Sequence, residues 1–222
     1  PGPSGTRGFA PTVAASHVDL PGSAALPAAH PAPLFQLAPG QFDSQWVEVR
    51  GVVRSASLQN RLLQLRISDP DGTLAVDIPA GSTPTNLVDA VVRVRGVCSS
   101  RFNDRRQITG LTILAPSLDD LQIEESGASN PLDLPTQPIV NASQFRPREA
   151  LQRRMNVVGV VTLCQSPQIF ILQDASDAIQ VVAGSTRVAL KPGDRVMAAG
   201  FPGLGDFGHL LRDAAVKVVD HA

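Results

Sequence analysis

The sequence predicts an all-β protein built from a repeated unit of five short strands. In residues 47–51 and 92–96, apolar and charged residues alternate at each position, which is the period of a half-buried strand. A glycine inside an apolar run recurs four times along the chain, which indicates an internal repeat. No long amphipathic stretch predicts a helix. These three observations favour tandem β modules over a mixed or helical fold.

The repeat becomes visible when Gly51 is aligned with Gly159. Each copy then contains three strands joined by tight turns, a connector, and a fourth and a fifth strand. The predicted turns lie at pairs that favour chain reversal: Gln59-Asn60, Asp71-Gly72, Ser166-Pro167 and Ser176-Asp177. The fourth and fifth strands are predicted at 91–99 and 107–114 in the first copy, and at 195–201 and 210–219 in the second. Short helical pieces are predicted at 34–40, 84–89 and 142–153.

Five strands in this order predict a small closed barrel of the OB type. The first and fourth strands of such a barrel must coil sharply, and glycine lacks the Cβ that would clash at a bend. We therefore assign architectural roles, rather than roles in binding, to four glycines: Gly51, Gly96, Gly159 and Gly200.

Two complete barrels are predicted, at 34–116 and at 141–222. The connector at 117–140 carries acidic residues that we interpret as a solvated face. Residues 1–33 are predicted to be the last strand of a truncated upstream barrel, followed by a Pro-rich linker. This remnant strand is expected at 12–20, without a partner of its own. Because the chain begins with proline, we expect a piece of a longer protein or a processed form.

Composition and motifs exclude several classes of function. A formal net charge of −1 gives no global attraction to nucleic acid or anionic membranes. No apolar run approaches the roughly 18–20 residues of a membrane helix. The sequence has no G-x-S-x-G elbow, Walker loop or H-E-x-x-H motif, and its four histidines lack metal-ligand spacing. We expect a non-enzymatic protein without metal or cofactor, in which Cys98 and Cys164 are buried free thiols.

The loop between strands four and five of the first barrel, residues 99–107, is the strongest candidate binding site. Arginine forks suit carboxylate or phosphate groups, and an aromatic ring can anchor a ligand. The candidate residues of this loop and of its counterpart in the second barrel are Arg101, Phe102, Asn103, Arg105, Arg106 and Phe207. The alternative is a plain hairpin in which Asn103 and Asp104 make the reversal and the arginines stay in solvent.

Binding of nucleic acid is predicted to be unlikely, although the fold often binds single strands. Residues 46–116 contain nine arginines against six acids, but strands two and three of this barrel contain no aromatic residue. Stacking of each base on an aromatic ring contributes about 1–3 kcal/mol, and that contribution is largely missing. Trp46 is expected to cover the core, and Phe35 and Phe145 to plug the barrel mouths.

The segments "DSQWVEVRGVVRS", "VVRVRGVC", "RFNDRRQITG", "ILAPSLDDLQIEE" and "LPTQPI" resemble a region of bacterial membrane-bound signalling proteins, chiefly sensor histidine kinases of acidobacterial type. In these proteins tandem barrels precede a transmembrane helix and cytoplasmic signalling domains. The resemblance covers about residues 34–219. It implies an extracytoplasmic, periplasmic module that binds a small ligand or a protein partner and touches the membrane only through its parent protein. A single-stranded nucleic-acid binder and a structural spacer remain the alternatives.

Overall fold

The structure is a computed structural model that describes residues 4–7, 10–13, 15, 17–19, 21–37, 40–103, 105, 108–143, 151–184, 189–205 and 208–221. Within these ranges, the side chains of 4–7, 10–13, 101, 102 and 108 are not described. The chain divides into two compact units, Pro1–Gly127 and Ala128–Ala222. Both are built almost entirely from strands, so the predicted all-β fold class is confirmed.

The first unit contains nine strands and one short helix among its described residues. The elements are β1 (Ser4–Arg7), β2 (Ala10–Val13), β3 (His30–Pro31), α1 (Leu34–Leu37), β4 (Trp46–Gln59), β5 (Leu62–Asp69), β6 (Gly72–Pro79), β7 (Val91–Phe102), β8 (Ile108–Leu114), a 3-10 turn (Leu118–Asp120) and β9 (Leu121–Glu125).

The second unit contains five strands among its described residues. The elements are 3-10 turns at Pro131–Asp133 and Ile139–Ala142, then β10 (Met155–Ser166), β11 (Ile169–Gln173), β12 (Ala178–Ala183), β13 (Arg195–Gly205) and β14 (Gly208–Asp220).

Both units share one strand order. The second unit is a closed barrel in the order β10-β11-β12-β14-β13, and the first has the order β4-β5-β6-β8-β7 with β7 pairing back onto β4. In each barrel the third strand pairs with the fifth in parallel, and the other pairs within the barrel are antiparallel. This is the five-stranded barrel of the OB type that the repeat predicts.

The inner faces of the strands form a separate apolar core in each unit. In α1, Leu34 and Leu37 are buried, since residues three apart share one face of a helix. Phe35 points away and is 51% exposed, so the prediction that it plugs a barrel mouth is wrong. Phe145 lies outside the described residues. Trp46 is half-buried at the start of β4.

Both cysteines are free, as predicted, but they differ in burial. Cys98 is buried in the first core. Cys164 is only half-buried, and its Sγ donates to the carbonyl oxygen of Leu190 at 3.4 Å. The prediction of a buried thiol therefore holds for Cys98 and not for Cys164.

The repeated glycines let neighbouring strands approach closely. A Cβ added at Gly51 would touch the Ile67 side chain and lie 2.8 Å from the carbonyl oxygen of Ser68. A Cβ at Gly159 would lie 2.5 Å from the carbonyl oxygen of Gln173, the matching position of the second barrel. Gly96 and Gly200 meet the backbone of strand five in the same way. Because a backbone oxygen cannot turn aside, these positions have room only for hydrogen.

An extended arm precedes each barrel and runs parallel to its first strand. His30 and Pro31 pair with Val47 and Glu48, and Ala32 N donates to Glu48 O at 2.9 Å. In the second unit Thr136 forms a parallel bridge with Asn156, and Gln137 N donates to Asn156 O at 2.8 Å. The repeated unit therefore includes an arm that precedes the predicted starts of both barrels.

The acidic part of the predicted connector belongs to the first sheet. β9 pairs with residues 91–94 of β7, where it continues strand five after an interruption. In the second barrel the uninterrupted β14 runs beside β13 as far as the pair Arg195 and Asp220. The interpretation of this acidic stretch as a solvated face is wrong for Glu124, whose carboxylate contacts two arginines.

The N-terminal segment differs from its prediction in position and pairing. The strand expected at 12–20 instead occupies Ala10–Val13 and pairs with Ser4–Arg7, and residues 15 and 17–19 are not in a strand. Residues 84–89, predicted as helix, form turns because two of them, Asn86 and Asp89, have positive φ angles of 53° and 69°. Most of the helix predicted at 142–153 lies outside the described residues.

Candidate functional site on the outer face of the first barrel

Three arginines of the first barrel are held by two glutamates on the outer side of β4, β7 and β9. Glu48 accepts from Arg95 Nε at 2.8 Å and from Arg93 Nη1 at 2.9 Å. Glu124 accepts from Arg93 Nη2 and from Arg50 Nε, both at 2.7 Å. The strand register produces this chain of ion pairs, since Glu48 lies opposite Arg95 and Arg50 lies opposite Arg93. We call these five residues the ion-pair network.

The network keeps both carboxylates ionised. Burial raises the pKa of Glu48, but the hydrogen bonds from Arg95 and Arg93 outweigh it and the pKa falls below its usual value. The hydrogen bonds from Arg93 and then Arg50 lower the pKa of Glu124. The same contacts, first with Glu124 and then with Glu48, raise the pKa of Arg93. The positive charges of Arg50, Arg93 and Arg95 are therefore largely neutralised by carboxylates of the same chain.

Another three arginines lie outside the ion-pair network, in the β4–β5 turn, on β5 and in the β7–β8 turn. Arg61 is at the tip of the β4–β5 turn, where its φ of 60° and that of Asn60 at 51° make a tight reversal. Arg66 points outward from the middle of β5, and Arg105 is exposed in the β7–β8 turn. Among the described residues, none of these three lies within ion-pair distance of a carboxylate. Three exposed cations outside the network therefore remain available on β5 and in these two turns.

The outer face of β5 around Arg66 is polar and open. Ser57, Gln64 and Asp77 lie in one row across β4, β5 and β6, and Gln64 Nε2 donates to Asp77 Oδ1 at 3.4 Å. Arg66 lies in the next row, between Ser55 and Ala75. β5 and β6, both fully described, present no aromatic ring here. The surface suits charged or hydrogen-bonding groups and offers no stacking platform.

The structure places only part of the predicted loop site. Arg101 and Phe102 end β7 opposite Gly110 and Ile108, and their side chains are not described. Asn103 Oδ1 accepts from Arg105 N at 3.0 Å, so Asn103 shapes the turn, as the alternative prediction proposed. Arg106 and Phe207 lie outside the described residues.

Sequence reasoning missed Arg61 and Arg66 as candidate site residues. Both belong to the nine arginines of the barrel, and the alternation of apolar and polar residues along β5 is a signal that could have placed Arg66 on the outer face. Which arginines had carboxylate partners depended on contacts over 31 to 74 positions of sequence, such as Arg50 with Glu124. The sequence carried no signal for that partition.

The corresponding face of the second barrel carries more apolar side chains, although Gln180 of β12 lies opposite Ile171. Leu163 is 49% exposed and lies opposite the half-buried Ile171, and Ile169 lies opposite Val182. Leu204, near the end of β13, is 72% exposed. The two barrels therefore present different chemistry at equivalent positions and are not built to hold the same ligand.

Among the described residues, no three His, Cys, Asp or Glu side chains are grouped so that they could hold a metal ion. No described helix has the length and apolar character needed to cross a membrane.

The structure overlaps weakly with several solved structures. The hypothetical protein ygiW from E. coli is 20% identical, over 44% of this chain and 100% of that chain, with a TM-score of 0.33. The p204 HINb domain is 10% identical over 77% and 95%, and a murine DNA binding protein bound with ds DNA is 8% identical over 78% and 99%, both with a TM-score of 0.33. At these scores no function is transferred. No protein-family model and no curated protein matches the chain.

Proposed function

We propose that the chain is a non-enzymatic binding module whose first barrel holds an anionic ligand or partner. The observation that carries this proposal is the partition of its arginines. Arg50, Arg93 and Arg95 are paired within the ion-pair network, whereas Arg61, Arg66 and Arg105 are exposed without a carboxylate within ion-pair distance in the described chain.

The position of these cations matches the general use of the fold. OB barrels bind ligands on the face of strands two and three, between the loops that follow strands one and four. Arg61 and Arg105 occupy those two loops, and Arg66 lies on the strand between them. A guanidinium binds a carboxylate or phosphate through two parallel hydrogen bonds, which gives orientation as well as affinity.

An acidic protein segment or a small organic anion fits this face better than a single-stranded nucleic acid. All three use the same cations, but nucleic-acid sites of this fold also stack bases on aromatic rings. β5 and β6 supply no aromatic ring on this face. The resemblance to bacterial signalling proteins supports the further proposal that this binding occurs in the extracytoplasmic part of a receptor.

The test is a titration of the whole chain with a fluorescent poly-glutamate peptide and, separately, with a thymidine oligonucleotide. We expect the peptide to bind at low salt and to lose affinity as salt screens the arginines. Arg66→Glu should weaken peptide binding about tenfold or more, because it replaces attraction by repulsion. Lys217→Glu makes the same charge change on β14 of the second barrel and should leave the affinity nearly unchanged.

The other outcomes of the titration would contradict the proposal or favour one of its alternatives. Preferred binding of the oligonucleotide, with a steep salt dependence, would support the nucleic-acid alternative. If neither probe binds at low salt, the anion-binding proposal is wrong and the spacer function is favoured. The receptor proposal has its own test, because a full-length gene without a transmembrane segment would contradict it.

A further inference from the structure

The second barrel has a groove on the outer side of its first strand. It encloses about 470 Å³ and is separate from the face proposed above, since all of its lining residues belong to the second unit. We call it the β10 groove. Its floor and walls are formed by Val158, Val160, Thr162, Gln173, Asp174 and Arg195.

A single row across three strands forms the middle of the groove. Val160 of β10 lies directly opposite Arg195 of β13 on one side and opposite Gln173 of β11 on the other. Neighbouring strands are about 4.8 Å apart, so the side chains of Arg195 and Gln173 extend from the strands on either side of Val160. Val158 lies two residues earlier on the same strand and extends the apolar floor.

The first barrel contains the same row in the same register, but there it is covered. Val52 lies opposite Val91 and Ser68, and these three residues are 0%, 2% and 5% exposed. Neither valine belongs to the barrel core. In the second barrel Val160 is 43% exposed, and Gln173 and Arg195 are exposed as well. The same row of the barrel is therefore buried in the first copy and exposed to solvent in the second.

The residue at the adjacent strand irregularity also differs between the copies. In the first barrel it is Arg54, whose Nε donates to the hydroxyl of Ser68. In the second barrel it is Thr162, whose short side chain lines the groove. In the first barrel the long side chain of Arg54 is therefore bonded to Ser68 of the buried row. In the second barrel the short side chain of Thr162 lies beside the exposed row of Val160.

Two charged residues line the groove, Asp174 and Arg195, and Arg195 is the one available to pair with a ligand. Asp174 uses its carboxylate oxygens to accept from Ile139, Ser176 and Asp177. Arg195 has no carboxylate within ion-pair distance in the described part of the chain, although it pairs through its backbone with Asp220. The groove therefore offers a cation at one wall, an amide at the other and valines between them.

We infer that the β10 groove binds a small organic anion with an apolar body. The carboxylate of such a ligand would meet the guanidinium of Arg195, and its hydrocarbon part would cover Val158 and Val160. Gln173 and Thr162 would supply further hydrogen bonds. The volume lies within the range of about 300–1,000 Å³ that is usual for sites of small molecules. Covering Val160 would restore in this barrel the burial that Val52 has in the other.

The test uses octanoate as the probe and isothermal titration calorimetry of the whole chain as the measurement. Acetate has the charge without the apolar body, and 1-octanol has the body without the charge. We expect octanoate to bind at least about tenfold more tightly than either, because only octanoate satisfies both parts of the site. Arg195→Ala should remove that advantage, and Arg195→Lys should retain part of it.

The control variants separate this site from its surroundings and from the proposed function. Lys217→Ala, on the neighbouring strand β14, should leave octanoate binding unchanged. Arg66→Glu should also leave it unchanged, although it weakens peptide binding to the first barrel. Val160→Glu should abolish octanoate binding, and thermal unfolding will show whether that variant is folded. Equal binding of octanoate and 1-octanol, no binding of octanoate, or no effect of Arg195→Ala would overturn the inference.

Discussion

Asp174 Oδ2 accepts a hydrogen bond from the backbone N–H of Ile139 at 2.9 Å, and the first barrel contains the same contact. There Asp69 Oδ2 accepts from Leu34 N at 3.1 Å, and both contacts span 35 positions of sequence. The other oxygen of each aspartate binds the turn into strand three, through Asp71 and Gly72 in one copy and Ser176 and Asp177 in the other. One carboxylate thus fixes to the barrel both the turn and the short helical element that follows the arm.

Removing this contact should destabilise the barrel that contains it. We expect Asp174→Ala to lower the free energy of unfolding of the second barrel by about 1–3 kcal/mol, because several backbone donors lose their acceptor. Asp69→Ala should act similarly on the first barrel, where the fluorescence of Trp46, the only tryptophan, reports unfolding in urea. Asp119→Ala removes an exposed carboxylate of a 3-10 turn and serves as the control. Equal effects of Asp69→Ala and Asp119→Ala would argue against the anchor.

The stability of the second barrel should fall in acid because of Asp174. Partial burial raises the pKa of this carboxyl, but hydrogen bonds from Ser176, Ile139 and Asp177 outweigh burial and lower the pKa from 3.8 to about 2. The unfolded state therefore binds the proton first, and the contribution of Asp174 is complete above the usual pKa and lost as the pH falls toward 2. Hydrogen exchange of the second barrel across this range measures it. Asp174→Asn should weaken the pH dependence, and an unchanged slope would contradict the assignment.

Alanine at the repeated glycines should destabilise the barrels. In Gly51→Ala the new methyl would lie 2.8 Å from the carbonyl oxygen of Ser68, so strands β4 and β5 must separate. Overpacking of this kind costs about 1–3 kcal/mol, which a shift of the urea midpoint of Trp46 fluorescence would show. Gly72→Ala is the matched control, because nothing lies within 4 Å of the added Cβ. A stable Gly51→Ala variant would mean that the strands can move apart at little cost.

Glu124 should hold β9 against the barrel. Its carboxylate binds both Arg50 and Arg93, and its side chain is only 19% exposed. Glu124→Gln should therefore speed hydrogen exchange of residues 121–125 more than it shifts global unfolding, and the effect should shrink at high salt. Exchange that is unchanged in this segment would show that backbone pairing alone retains β9.

The two cysteines should differ in reactivity. Burial, and then the nearby charge of Asp43, raise the pKa of Cys98 to about 11, so its thiolate is scarce at neutral pH as well as inaccessible. Burial and Asp194 also raise the pKa of Cys164, but that thiol is half-buried. We expect iodoacetamide to modify Cys164 first and Cys98 only on unfolding, as mass spectrometry of the peptides will show. Early modification of Cys98 would contradict the buried position.

The strands of both barrels could be predicted because their pattern is local. Alternation and the four glycines lie within runs of about ten residues, and the turn pairs between strands one, two and three fall where the structure reverses. β9 was not predicted, because acidic residues lie directly before it and at its end, and only two of its five residues are apolar. Asp69 and Asp174 were not predicted to bind the backbone N–H groups of Leu34 and Ile139, because in the local sequence each is typical of an ordinary turn residue.

The sequence by itself determined the all-β class, the repeat, the two barrels and the positions where only glycine fits, because strand period and turn chemistry act between near neighbours in the chain. The tertiary structure decided which arginines are paired with carboxylates and which remain available. It also decided that the row at Val52 is buried whereas the matching row at Val160 is exposed. These outcomes depend on strand register and on contacts between residues far apart in sequence. No local pattern encodes them, because each needs the barrel to close first.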